Sequence, residues 1–323
     1  MTTPSHEPDD RAAKRTGAGG RTTLERKRPR NRIQGGQTPA PVPMRILKGI
    51  VLTIICAIIV MPFVGMIATS VAPAEQVMKA SGLVFIPESI DFSAYQAIFA
   101  GGVVTRSLGV SVFVTLVGTA IALTITSLLA YALARPRLPG RRTFMILLLV
   151  SLLFTPGMIP MYLAVKQYGL IDSIWALIIP VTVNAFNVVV MRAFFQGIPQ
   201  ELIDSALIDG ASEWQIFRRI VLPLSKAIMA VIGLFYAVGF WNSFFSALLY
   251  INDQSMWPLQ LVLRTFVVNE QPLALTDLPA DLIPAQPTIQ MALLVIALLP
   301  IVVVYPFLQK HFAKGVLTGA VKG

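Results

Sequence analysis

Six stretches of this 323-residue chain are apolar over lengths that suit a bilayer and little else. A helix needs about 20 apolar residues to cross the hydrocarbon core. Runs at 46–70, 107–134, 143–165, 173–195, 223–250 and 288–309 reach that length. They are apolar all round, so periodicity says little and length decides. Pro62, Pro156, Pro160, Pro180, Pro300 and Pro306 fall inside them. Membrane helices tolerate proline where neighbours or water satisfy the freed carbonyls, so these prolines mark kinks rather than ends. Composition agrees. Apolar residues make up 55 % and charged residues 13 %, against about 25 % charged in soluble domains. Mean hydropathy is +0.71. The expected fold class is an all-α integral membrane protein with six transmembrane helices.

The basic residues set the expected orientation. The formal net charge is +10. With both termini cytoplasmic, all but Lys79, Arg106, Lys166 and Arg264 of the 26 basic residues fall in cytoplasmic segments. That is the bias the positive-inside rule requires. The charge therefore reads as a topology signal, and nucleic acid is not an expected partner. Residues 1–43 are polar and rich in Arg, Lys, Gly, Pro and Thr. Such a segment cannot bury enough apolar surface to fold, and it is expected to be a disordered cytoplasmic tail near anionic lipid. The membrane-spanning part then runs over 44–323.

Several chemistries are excluded. Cys56 is the single cysteine, so no intrachain disulfide or Cys-based zinc site exists. His6 and His311 stand near opposite ends, and no Gly-Lys dipeptide occurs, hence no Walker A loop. No nucleophile–base constellation argues for an enzyme. An ion-coupled carrier would place acidic residues at mid-membrane, and none lies centrally in the six runs. Gly118, Ala122, Thr126, Ala130 and Ala134 recur every four residues, a small-residue ridge suited to close helix approach.

The segment between the fourth and fifth runs, residues 198–223, reads as two short helices. Pro199 suits a first helical position, and Glu201 complements the positive helix end. Gly210 can take the left-handed conformation that ends a helix. Ser212 and Gln215 form a capping box for a second helix, with Arg218 and Arg219 in its last turn and Pro223 restarting the chain as the fifth span. A projecting, capped element of this kind suits a grip by another protein.

Here the residues resemble a family. The pattern E-A-A-x3-G-x9-I-x-L-P marks the inner-membrane permeases of binding-protein-dependent ABC importers. This chain has Asp204, Ser205 and Ala206, then Gly210, then Ile220, Leu222 and Pro223 at every matching spacing. Asp204 replaces Glu and Ser205 replaces Ala; the first keeps the charge and the second stays small. The longer context IDGASEWQIFRRIVLPLSK, with FNVVVMRAFFQGIPQELIDSA before it and YAVGFWNSFFSALLY after it, is similar to the maltose-type, MalG-like carbohydrate permeases. FTPGMIPMYLAVKQYGL and WPLQLVLR look closest to the complex-oligosaccharide sub-branch. The resemblance implies a type I ABC importer permease fold in a bacterial inner membrane. It implies a second permease subunit, two ATPase subunits and an extracytoplasmic solute-binding protein as partners. The permease itself would hold no cofactor, with ATP–Mg bound by the ATPases. It implies that the 198–223 loop docks in an ATPase cleft, Asp204 facing a basic residue there and Ala206 and Gly210 allowing close approach and the turn. The loop motif alone leaves open an ABC permease for another solute class.

Polar groups inside the runs are candidate path residues, because burial without partners is costly. Asn184, Asn187, Trp241 and Asn242 stand out. Indole and amide together could meet a sugar; the asparagines could equally serve as interhelical hydrogen-bond partners. The outer segments 71–106 and 251–287, with Tyr95, Trp257 and Arg264, are candidates for binding-protein contact.

Overall fold

In a computed structural model the described residues are 41–268 and 285–320, and they are helical with no strand among them. The expected tail lies outside the described residues except for its last three. The chain divides into two units, Met1–Ile54 and Ile55–Gly323. The described part of the first is the opening of helix α1 (Val42–Ser70), whose apolar side chains are exposed.

The second unit holds α2 (Ala74–Lys79), α3 (Ser93–Ala100), α4 (Val103–Ala134), α5 (Arg141–Leu153) and α6 (Met158–Gln167). Next come α7 (Trp175–Ile178) with a 3-10 turn (Ile179–Val181), α8 (Ala185–Gln196) and α9 (Gln200–Ile208). α10 (Glu213–Ile216), a π turn (Phe217–Val221) and α11 (Leu222–Leu224) run on without a gap. α12 (Lys226–Trp241), α13 (Phe244–Tyr250), α14 (Leu259–Leu263) and α15 (Gln286–Ala320) complete it.

Three helices are continuous, long and apolar enough to cross a membrane: α1, α4 and α15 over Gln286–Pro306. Two bent pairs also qualify by length and composition, α7 with its 3-10 turn plus α8 at 52°, and Glu213–Leu224 plus α12 at 83°. That gives up to five such spans among the described residues. Pro62, Pro300 and Pro306 sit inside unbroken helices, as expected. The run at 143–165, read from sequence as one span, is the exception. It is α5 and α6, interrupted at Phe154–Gly157. Pro156 pushes the residue before it out of the helical region, Phe154 is already extended, and Gly157 turns at φ 23°. The run at 223–250 begins instead at Lys226 and breaks at Asn242–Ser243 into α12 and α13.

α4 is the hub, with α12, α8, α14, α3 and α5 all packed on it. Its small-residue ridge is what makes this possible. Gly118, Ala122, Thr126 and Ala130 are buried, and a Cβ at Gly118 would lie 2.9 Å from the Phe240 ring of α12. Close backbone approach then lets side chains pair: the Thr126 and Tyr236 hydroxyls are 2.7 Å apart.

Candidate functional site

The 198–223 loop is built from local signals. α9 ends in a Schellman motif, in which the Gly210 N–H donates to Leu207 O at 3.1 Å and the Ala211 N–H to Ala206 O at 2.9 Å. Gly210 sits at φ 81° with open space where a Cβ would go, so backbone conformation rather than crowding within this chain calls for glycine. Ser212 then caps α10 by accepting from the Gln215 N–H, while Gln215 Oε1 accepts from the Ser212 N–H at 2.8 Å.

α9 is anchored by Ile203, 5 % exposed, with Ala206 packed beside the core, and shows its remaining residues outward. Asp204, Ser205 and Gly210 are exposed; Ala206, Ile220 and Leu222 are half-buried; Pro223 is exposed. Asp204 accepts from the Gln200 side-chain amide at 3.0 Å, and Ser205 Oγ donates to Glu201 O at 2.8 Å, so both polar groups are held on the helix surface. Leu202, Ile208 and Trp214 project apolar surface around them, Ile208 being 86 % exposed.

Beyond α10 the structure departs from expectation. Arg218 and Arg219 lie in a π turn in the middle of the 213–224 segment, not in a final turn, and Pro223 continues it, with the restart delayed to Lys226 after Ser225. The cause is the proline. It has no N–H to offer the carbonyl four residues back. The wider register, in which the Leu222 N–H bonds Phe217 O, lets the helix pass through it.

Of the four candidate path residues, the structure brings two together. Asn184 and Asn187 line a cleft of about 310 Å³ with Phe235, Tyr236, Gly239, Phe240, Ser243 and Ser246. Asn184 also caps α8, accepting from the Asn187 N–H at 3.1 Å, and its own N–H donates to the Tyr236 hydroxyl at 3.1 Å. Trp241 and Asn242 lie away from this cleft. Trp241 is 5 % exposed, and its indole N–H has no partner; it borders a separate apolar cavity with Thr115, Leu234 and Pro300. Asn242 is exposed and turns its amide back to Val238 O at 3.0 Å. Sequence reasoning passed over Tyr236, Ser243 and Ser246. The one signal for them was hydroxyls inside an apolar run, and Ser243 Oγ is buried without a partner.

The outer candidates are committed internally. Tyr95 pairs with Ser70 Oγ at 2.8 Å, the Trp257 indole donates to Ile251 O at 3.2 Å, and Arg264 lies 5.0 Å over the Phe244 ring. Residues 269–284 of that second segment lie outside the described residues.

The family of binding-protein-dependent transport system inner membrane components matches residues 122–318, which contain both the loop and the cleft. The chain belongs to this family. Among similar proteins, Protein LplC of Bacillus subtilis is 48 % identical over 268 residues, 83 % of this chain and 90 % of that protein. The polygalacturonan/rhamnogalacturonan transport system permease protein YtcP of the same organism is 46 % identical over 268 residues, 82 % and 93 % of the two chains. A chain in the crystal structure of a bacterial ABC transporter involved in the import of the acidic polysaccharide alginate superimposes with a TM-score of 0.78 at 28 % identity, covering 86 % of this chain and all of that one. This permease chain is thus a multi-pass inner-membrane component.

Proposed function

We propose that the chain is a permease subunit of an ABC importer for a carbohydrate, an oligosaccharide in particular. It would form the path with a second permease, receive solute from a binding protein, and couple to two ATPase subunits through the 198–223 loop. Six spans with both termini cytoplasmic put that loop on the ATPase side. The observation that carries the reading is the loop itself: a helix, a left-handed Gly210 and a capped second helix, with Asp204 and apolar Leu202, Ile208 and Trp214 outward. Exposed apolar side chains ringed by polar ones suit a protein partner. The carbohydrate assignment is supported by relatives named for polygalacturonan/rhamnogalacturonan and arabinooligosaccharide transport. ATP hydrolysis would belong to the partners, and this chain would supply movement and a path.

Two substitutions test the loop. Gly210→Val strains the left-handed turn by about 1 kcal/mol or more and adds bulk at the docking face. Asp204→Lys sets like charges together, at a cost on the order of several kcal/mol across a desolvated contact. Both should leave the chain inserted but reduce ATPase co-purification and binding-protein-stimulated ATP hydrolysis in vesicles. Asp204→Glu should behave as wild type. Full stimulation in both disruptive variants would remove the loop as the coupling element.

A further inference from the structure

The 198–223 loop is joined by the chain to α8 on one side and α12 on the other. It is not joined directly to α4, yet α4 is the helix on which the others pack. A side-chain cluster bridges that gap. The Glu213 carboxylate, at the start of α10, accepts from the Tyr131 hydroxyl at 2.5 Å and from Arg135 Nε and Nη2 at 2.9 and 2.7 Å. Arg135 Nη2 also donates to the Tyr131 hydroxyl at 2.8 Å, and the guanidinium carbon lies 4.9 Å from the centre of that ring. Tyr131 and Arg135 are the final turn and cap of α4. Behind the polar contacts, the buried Phe217 ring packs 4.9 Å from Tyr131 and 5.6 Å from Trp214.

We propose that Glu213, gripped by Tyr131 and Arg135, is the strut that carries displacement of the loop into α4 and so to the cleft. The inference rests on the reading of the loop as the ATPase-coupled element. An exposed ion pair alone would carry little. Here the Arg135 side chain is 14 % exposed although Glu213 is 59 % exposed, the contact is charge-assisted with three donors on one oxygen, and an aromatic cluster packs behind it. A carboxylate serving only the helix start would gain from the helix dipole without Arg135. The other end of the route is equally direct. Five residues before Tyr131 on the same rigid helix, Thr126 bonds the Tyr236 hydroxyl, and Tyr236 lines the cleft. A rigid helix bonded at both of these points can carry a displacement from one to the other, and the coupling itself is what the experiment measures.

The test needs no knowledge of the solute. In a Cys56→Ser background, a cysteine at Ser246 reports cleft accessibility to a maleimide in the complete complex, with and without ATP plus vanadate. Wild type should show a nucleotide-dependent change in labelling rate. Glu213→Gln and Arg135→Gln should keep the ATPase bound yet shrink that change by roughly five-fold or more, the lower end of typical coupling energies. The exchanged pair Glu213→Arg with Arg135→Glu should restore most of it. A full change in Glu213→Gln, loss of the ATPase from that variant, or no recovery in the exchanged pair would overturn the strut and leave the loop assignment standing. A wild-type complex without any nucleotide-dependent change would overturn both.

Discussion

Asp172 takes a left-handed conformation, φ 58°, that among side-chain-bearing residues suits aspartate and asparagine best. Its N–H donates to Tyr250 O at 2.8 Å, and its carboxylate accepts from the Asn252 side-chain amide and from the backbone N–H groups of Asn252 and Asp253. These bonds to the charged form, the Asn252 side chain first, hold the carboxyl below its ordinary value. A depressed folded value means that the stabilisation is present in full above the unfolded carboxylate value and is lost as pH falls through the folded one. Asp172→Asn keeps the backbone preference and one acceptor; Asp172→Val keeps neither. Thermal melts at neutral pH should rank wild type above Asn and Asn above Val. The gap between wild type and Asn should close as pH drops below the usual carboxylate range. A gap unchanged at acid pH would show that the charge on Asp172 contributes nothing.

At the scale of the helix pair, α4 and α12 meet where Gly118 leaves no room for a side chain. Gly118→Val would push against the buried Phe240 ring, and overpacking of this kind costs about 1–3 kcal/mol. Detergent-solubilised Gly118→Val should melt below wild type, and Phe240→Leu in the same chain should recover most of the loss. Equal melting of wild type and Gly118→Val would show that the pair separates easily. This contact also shows what was legible in advance. The four-residue spacing of small residues exposed the ridge, but which ring would fill it depends on how distant segments dock, and no spacing records that. The loop was legible for the opposite reason. Gly210, Ser212 and Gln215 act within a turn or two of themselves, so the Schellman end and the capping box follow from neighbours alone. The π turn at Phe217–Val221 has no local signal of its own: Pro223 reads as the restart of the chain into the fifth span, whereas a wider hydrogen-bond register carries the helix through it. Among the path candidates, Asn184 and Asn187 stand one helical turn apart and share the cleft. Trp241 and Asn242, adjacent in sequence, have different surroundings, because Trp241 is the last residue of α12 and Asn242 opens the break after it. Glu213 gave no signal at all, since its partners lie 78 and 82 residues away.

For the whole molecule, the expected membrane topology rests on charge rather than on packing. Apart from Lys79, Arg106, Lys166 and Arg264, the basic residues gather on one side of the expected spans. Single cysteines at Ser212 and Ser255, introduced in a Cys56→Ser background, should differ on intact cells. An impermeant maleimide should label the Ser255 site and spare the Ser212 site; the reverse pattern would invert the topology. The 83° bend at Ser225 gives this arrangement a mechanical meaning. The Glu213–Leu224 arm, at 1.5 Å per residue, is about 18 Å long. It meets α12 near a right angle, as the two arms of a bell crank meet at a pivot. Rocking the crank by ~10° carries the tip of the short arm through roughly 3 Å. A shift of that size at Glu213 is about one hydrogen-bond length, so even a small stroke must either be followed by Tyr131 and Arg135 or break their hold.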